Sequence, residues 1–214
     1  MIVAIDTSGA MSGIALMTDN GTLLAEQSWH SNRRHSEQVL AQLDALCRLV
    51  ECNPAHITHI AVSIGPGSWS GIRIGISIAK GIAIANNAVI VGINALDLLA
   101  WPLRNRAPVT ACIPLGRGRF ATAIYPQHAW AIGSITPINQ TIGDITVDTQ
   151  HVLVYEPLTT SQLSPSMINH GHQHSAWPHP RILAELGLQV FHTYPTGHPV
   201  VEPIYLGEPV HPKP

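Results

Sequence analysis

Histidine is the most abundant chemically versatile residue in this chain, with 13 copies, and Asn169-His170-Gly171-His172-Gln173-His174 sets three imidazoles at alternate positions. If that segment were extended, His170, His172 and His174 would share one face, a pattern able to ligate a metal. No Cys or carboxylate co-ligand adjoins it, and loop histidines in a charge-poor chain ordinarily serve as polar surface, so no native metal site is expected there. Neither His-Glu-x-x-His nor Gly-x-Ser-x-Gly occurs, which leaves protease and esterase chemistry without an anchor. Two stretches have the residue types of a phosphate turn. Asp6-Thr7-Ser8 follows the apolar run Ile2-Val3-Ala4-Ile5, and Gly65-Pro66-Gly67-Ser68-Trp69-Ser70-Gly71 precedes a helical pattern whose free N–H groups could meet an anion. The second lacks the Lys-Ser/Thr of a P-loop, and no Asp or Glu occurs between Glu51 and Asp97 to serve a dinucleotide. It therefore reads as a structural strand-to-helix turn. A phosphotransferase would also need a second Gly-rich turn with a catalytic acid, and the nearest candidate, Gly116-Arg117-Gly118, has no Asp beside it.

The elements that must position these residues begin with three short β-prone runs, Ile2–Ile5, Gly13–Met17 and Leu23–Trp29. The last two are joined by Asp19-Asn20-Gly21, a hairpin signal. From Ser36, a candidate cap, the period turns helical: Val39, Leu43, Leu46 and Val50 form a stripe that Leu40 and Cys47 widen. Asn53-Pro54 ends that helix. A buried strand over 59–64 follows, then a helix over 71–85, a strand over 88–93 and a short helix over 95–101. Beyond Pro102 strands are expected at 109–113, 120–125 and 151–155, a helix at 181–186 before Gly187, and coil from Pro195 to Pro214. The 71–85 helix has Gly71, Gly75, Ala79 and Ala83 in one small-residue ridge, with isoleucines around it. Such a helix must be covered on nearly every side. One reading makes it a core helix; the other docks part of its surface, together with Val39 and Leu43 of the preceding helix, against another subunit.

Charge narrows the partners. With 11 Lys+Arg against 13 Asp+Glu the net charge is -2, so the basic field that carries most nucleic-acid affinity is missing. If the chain serves a nucleic acid, something else must hold the phosphates. The start of the chain has no cationic segment and no long apolar run, so neither signal peptide nor membrane anchor is expected, and a cytoplasmic location is. Cys47, Cys52 and Cys112 are odd in number and form no Cys-x-x-Cys pair, so they read as apolar filler rather than a disulfide framework.

Taken together, Asp6-Thr7-Ser8, His35-Ser36-Glu37 and the run from Gly65 to Gly75 with Ala79-Lys80-Gly81 resemble the bacterial TsaB (YeaZ) family, the accessory subunit in making threonylcarbamoyladenosine beside the tRNA anticodon. Trp69 and Ser70 stand where that family usually has Phe and Thr. The likeness covers about the first hundred residues well; later, Pro114 to Ala121 and Pro203-Ile204-Tyr205-Leu206-Gly207 keep only parts of the family's pattern.

The resemblance implies an α/β, actin-like two-lobe fold related to Hsp70 and the sugar kinases, with residues 1–102 as the first lobe and 103–214 as a smaller, more divergent second lobe. In that fold an Asp placed like Asp6 helps hold a metal-bound phosphate. It further implies a TsaD-type catalytic paralogue as partner, with a TsaE-type ATPase subunit left open as another. The paralogue carries His-x-x-x-His after a strand where this chain has Ile93-Asn94-Ala95-Leu96-Asp97. The expectation is thus a non-catalytic scaffold without cofactor that docks through its apolar helices, meets tRNA only through the complex, and forms a homodimer when isolated. The alternative is an ATP-dependent phosphotransferase resting on Asp6, Thr7 and Ser8.

Overall fold

The computed structural model describes residues 1–32, 34–128, 130–157, 172–197 and 201–206. Strands β1 (Ile2–Asp6), β2 (Met11–Met17) and β3 (Leu23–His30) form an antiparallel meander, and Gly21 in the β2–β3 connection has a φ of 86°. Helix α1 (His35–Leu49) leads through a 3-10 turn to β4 (His59–Ser63), α2 (Trp69–Asn86), β5 (Val89–Ile93) and α3 (Ala95–Ala100). The order in this sheet is β3-β2-β1-β4-β5, with β4 parallel to both β1 and β5. Ser36 does not cap α1: the helix starts one residue earlier, with Arg34 at the N-cap and no side-chain bond, and Arg34 instead reaches Glu37.

A second sheet repeats that plan. Strands β6 (Val109–Gly116), β7 (Arg119–Tyr125) and β8 (Ile138–Thr141) are antiparallel, while β9 (Val152–Tyr155) and β10 (Gln173–Ser175) add in parallel on the other side of β6. Their order, β10-β9-β6-β7-β8, is the first sheet's order applied to the next five strands. Two mixed sheets flanked by helices make the actin-like two-lobe fold that the resemblance implies. Neither β8 nor β10 is among the expected strands. Both are edge strands of four or fewer residues, too short to show a period of two.

The strand period of two sorts the first sheet's side chains. Val3, Ile5, Ile14, Leu16, Ile60 and Val62 face α1 and α2, whereas Ile2, Ala4, Ala15, Met17, Ala61 and Val91 face a last helix, α4 (Pro180–Thr193). Each large aliphatic side chain buried this way contributes about 1.5–3 kcal/mol. The α4 face of the sheet carries alanines at 4, 15 and 61, and Gly187 is pressed so closely on Ala61 that a Cβ would collide with it. Gly187 is therefore a packing position rather than the expected stop, and α4 runs on to Thr193. By packing α4 belongs to the first sheet, so a division into 1–102 and 103–214 does not follow the contacts. In the opposite sense Leu96 and Leu99 of α3 pack into the second sheet's core, with Leu98 turned to the first. No helix among the described residues is long and apolar enough to cross a membrane.

Candidate functional site

β1 ends on Asp6, and the first residues of the turn that follows are enclosed. Asp6, Thr7 and Ser8 are all buried. Asp6 Oδ1 accepts from the Ser8 backbone N–H at 2.9 Å and from Ser8 Oγ–H at 2.7 Å, and Ser63 Oγ–H at the end of β4 donates to Ser8 Oγ at 3.1 Å. From the other side, Thr7 Oγ1–H donates to the Gly71 carbonyl at 2.7 Å, and the Ser68 N–H donates to the Ser8 carbonyl at 2.6 Å. These contacts explain the glycines in the Gly65–Gly75 run. A Cβ on Gly67 would strike the Ser8 carbonyl, one on Gly71 the Thr7 carbonyl, and one on Gly75 the Thr7 side chain. The start of α2 packs against backbone, and only glycine permits that approach. Ser68 supplies the cap by accepting from the Gly71 N–H at 3.3 Å.

Glu156, just past β9, brings a second carboxyl to this turn from the other sheet. It is 4% exposed, and its Oε1 would lie 2.9 Å from a Cβ on Gly9. Burial, reinforced by the charge of Asp6, raises its pKa to about 8. Burial likewise raises that of Asp6, against the lowering effect of the Ser8 bonds. Burial and then Glu156 push the neighbouring Cys112 thiol up to about 12. His35 at the start of α1 is buried beside this group. Ser12 Oγ is 2.8 Å from its Nδ1 and Ser31 Oγ 3.2 Å from its Nε2. Burial lowers its pKa while Asp6 opposes the change. Asp6, Thr7 and Ser8 are enclosed rather than open to a ligand, and Ser12 is only 1% exposed, so it is not an accessible nucleophile. The other sheet's Gly116-Arg117-Gly118 is an exposed hairpin turn, with open space around both glycines.

The expected interface residues take a different place. Val39, Leu43, Gly71, Gly75 and Ala79 are buried in the chain's own core, facing β1 and β4, and Ala83 is half-buried against the same cluster. The small-residue ridge lets α2 approach its own sheet. What α1 and α2 turn outward is a different set: Leu40 at 52% exposure, Ile84 at 84%, Trp69 and Arg73, with Ile74, Ile78 and Ile82 half-buried between them. A groove of ≈ 220 Å³ runs between the two helices, lined by Leu40, Asp44, Pro54, Ile57, Ile82 and Ala85 among others.

Asp97, noted in the sequence only as standing where a histidine motif would be, is a buried structural acid. It accepts from Tyr125 O–H at 2.8 Å and from the Gly133 N–H at 2.7 Å, and burial raises its pKa to about 6 in spite of those bonds. Asn94 caps α3 by accepting from the Leu96 N–H at 2.9 Å. Of the clustered histidines, His170 lies outside the described residues, and His172 and His174 are exposed. Among the described residues no group of three His, Cys, Asp or Glu side chains could hold a metal. Glu156 and Asp97 gave no sequence signal beyond their type, since each acquires its role from a segment far away in the chain.

Comparison with known proteins places this architecture. Residues 23–151 match the model of the family described as TsaD, tRNA N6-adenosine threonylcarbamoyltransferase. The tRNA threonylcarbamoyladenosine biosynthesis protein TsaB of Bacillus subtilis is 29% identical over 64% of this chain and 59% of its own length. That of Escherichia coli is 31% identical over 59% and 55%. The chain thus spans a little over half the length of these curated relatives. A solved Pseudomonas aeruginosa structure, described as similar to the peptidase YeaZ, has the same fold, with a TM-score of 0.80 and 20% identity over 96% of this chain and 99% of that one. The match over more than half of its residues, with TsaB relatives on one side and a YeaZ-type fold on the other, makes this chain a member of the TsaD family, of the TsaB (YeaZ) type.

Proposed function

We propose that this chain is a non-catalytic accessory subunit that docks onto a TsaD-type paralogue and supports threonylcarbamoyl transfer to a tRNA adenosine beside the anticodon. The observation that carries the reading is the outward face of α1 and α2. Large aliphatic side chains stand exposed there around an apolar groove, and a lone subunit leaves them in water. Two amphipathic helices of a paralogue with the same fold present a matching pair, and a second copy of this chain covers the face when the paralogue is absent. The Asp6 turn supports the same view. Its three residues are buried, and the Glu156 side chain from the other sheet is set against Gly9 beside them. That arrangement counts against the phosphotransferase alternative. A net charge of -2 fits a subunit that leaves tRNA to its partners.

The test is association of the purified chain with a TsaD-type protein, followed by calorimetry and sedimentation, using Ile84→Glu and Leu40→Glu as surface variants. Binding that both variants weaken, with the fold retained and no heat on titration with Mg-ATP, is the expected result. Tight Mg-ATP binding with turnover, or a paralogue complex indifferent to both variants, overturns the reading.

A further inference from the structure

We propose that Cys47 and Cys52 are a reversible dithiol, closed into a disulfide by a hydroperoxide across the C-terminal turn of α1. The turn itself brings them together. After Val50 the chain passes through Glu51 at a φ of 54°; the Glu51 N–H donates to the Arg48 carbonyl at 3.2 Å and the Cys52 N–H to the Cys47 carbonyl at 2.9 Å. This pair of bonds is the Schellman ending of a helix, whose habit is an apolar contact between these two positions. Here both positions are cysteine. With standard backbone dimensions, the 2.9 Å bond holds the two Cα atoms within about 6.8 Å, inside the span a disulfide bridges. Both side chains pack on the same apolar cluster, Cys47 buried and Cys52 half-buried, and each lies within electrostatic reach of the other. Cys112 is buried in a different cluster, on the second sheet.

The two thiols divide the work by exposure. Burial, and then Cys52 itself, push the Cys47 thiol up to about 12, so Cys47 is not the group that meets an oxidant first. Cys52, half-exposed, is the one a peroxide reaches. Its thiolate attacks the peroxide O–O bond, taking one oxygen as a sulfenic acid and releasing the other as water once protonated. Cys47 sulfur then attacks the sulfenic sulfur, its proton leaves with the displaced hydroxide as a second water, and the S–S bond forms. Two thiols are oxidised by two electrons and one hydrogen peroxide is reduced to two waters; a dithiol reductant reverses the step by exchange.

Trypsin offers a direct readout because Arg34, Arg48 and Arg73 put Cys47 in the peptide 35–48 and Cys52 in the peptide 49–73. The native, folded chain is treated with hydrogen peroxide, unreacted thiols are blocked, and the digest is examined without reduction. The expected result is a mass loss of about 2 Da in the whole chain, a cross-linked pair of these two peptides, and its disappearance with dithiothreitol. Cys112→Ala keeps the cross-link. Cys47→Ala loses it, and its Cys52 proceeds to sulfinic acid instead. Accumulation of sulfinic acid at Cys52 in the wild-type chain with Cys47 still a thiol, a bridge through Cys112, or a bridge only between two chains each overturns the proposal.

Discussion

Replacing Glu156 by Gln isolates the electrostatic load of the inter-sheet turn. The substitution keeps the shape of the side chain and removes the ability to ionise. In the unfolded chain Glu156 has the ordinary value of 4.5, and in the folded chain burial raises it to about 8. The folded state therefore holds a proton that the unfolded state has lost across that interval, and stability falls as pH rises from about 4.5 to about 8. At about 1.4 kcal/mol for each tenfold change in proton affinity, the loss is at most roughly 5 kcal/mol, an order-of-magnitude figure. Below pH 4.5 both side chains are neutral, and the variant is expected to match the wild type. At pH 8 and above, the variant is expected to be the more stable by several kcal/mol. The difference between the two curves reports Glu156 together with its coupling to Asp6. The assay is urea unfolding at a series of pH values from 4.5 to 9, read as the midpoint and slope of each transition. Parallel stability curves for the two proteins would refute the reasoning, because they would mean that the Glu156 carboxyl is solvated rather than set against Gly9 and Asp6.

Gly75→Ala places a methyl against Thr7, an overpacking that costs about 1–3 kcal/mol and lowers the thermal midpoint by roughly 5 °C in a chain of this size; an unchanged melting curve with lost association would return the ridge to an interface. Ile84→Glu, at a residue 84% exposed, is expected to leave stability within about 0.5 kcal/mol while weakening partner association about tenfold or more, measured by calorimetry. Asp97→Ala strands the Tyr125 hydroxyl and the Gly133 N–H and costs about 2–4 kcal/mol. Because burial raises Asp97 from 3.8 to about 6, wild-type stability from this group is full below about 3.8 and declines toward pH 6. The cost of Asp97→Ala, read by urea unfolding, is therefore expected to be greater at pH 4 than at pH 7.

The elements built on strong periodicity are legible in the sequence. The meander of β1 to β3, the stripe of α1 and the alternation of β4, α2 and β5 all fall within a few residues of where apolar spacing puts them. What was not legible depends on contacts between distant segments. The ridge of Gly71, Gly75 and Ala79 has one spacing whether it meets another subunit or its own β1, and it is the collisions of a Gly71 or Gly75 Cβ with Thr7 that separate the two. Gly187 looks like a helix stop because glycine commonly is one; here it marks the close crossing of α4 over Ala61. The acid at 156 gives no local signal at all, since its chemistry comes from meeting Gly9 and Asp6 across the two sheets.

The repeated sheet order gives that meeting a structural reading. In the first sheet β4 lies parallel to β1 and ends on Ser63, whose hydroxyl joins the bonds around Asp6. In the second, β9 lies parallel to β6 in the equivalent place, and the chain leaves it through Glu156. One strand end thus delivers a neutral donor to the turn and its counterpart delivers an acid. A neutral donor pair could have received an anion between the sheets; Glu156 instead sets its side chain against Gly9 beside Asp6, where burial favours its protonated form. Protonated below about pH 8, the same acid can lie against Gly9 without a counter-ion and close the space instead. Glu156 thus closes the turn beside Asp6 from the opposite sheet, and only where it ionises, above about pH 8, does it add a negative charge there.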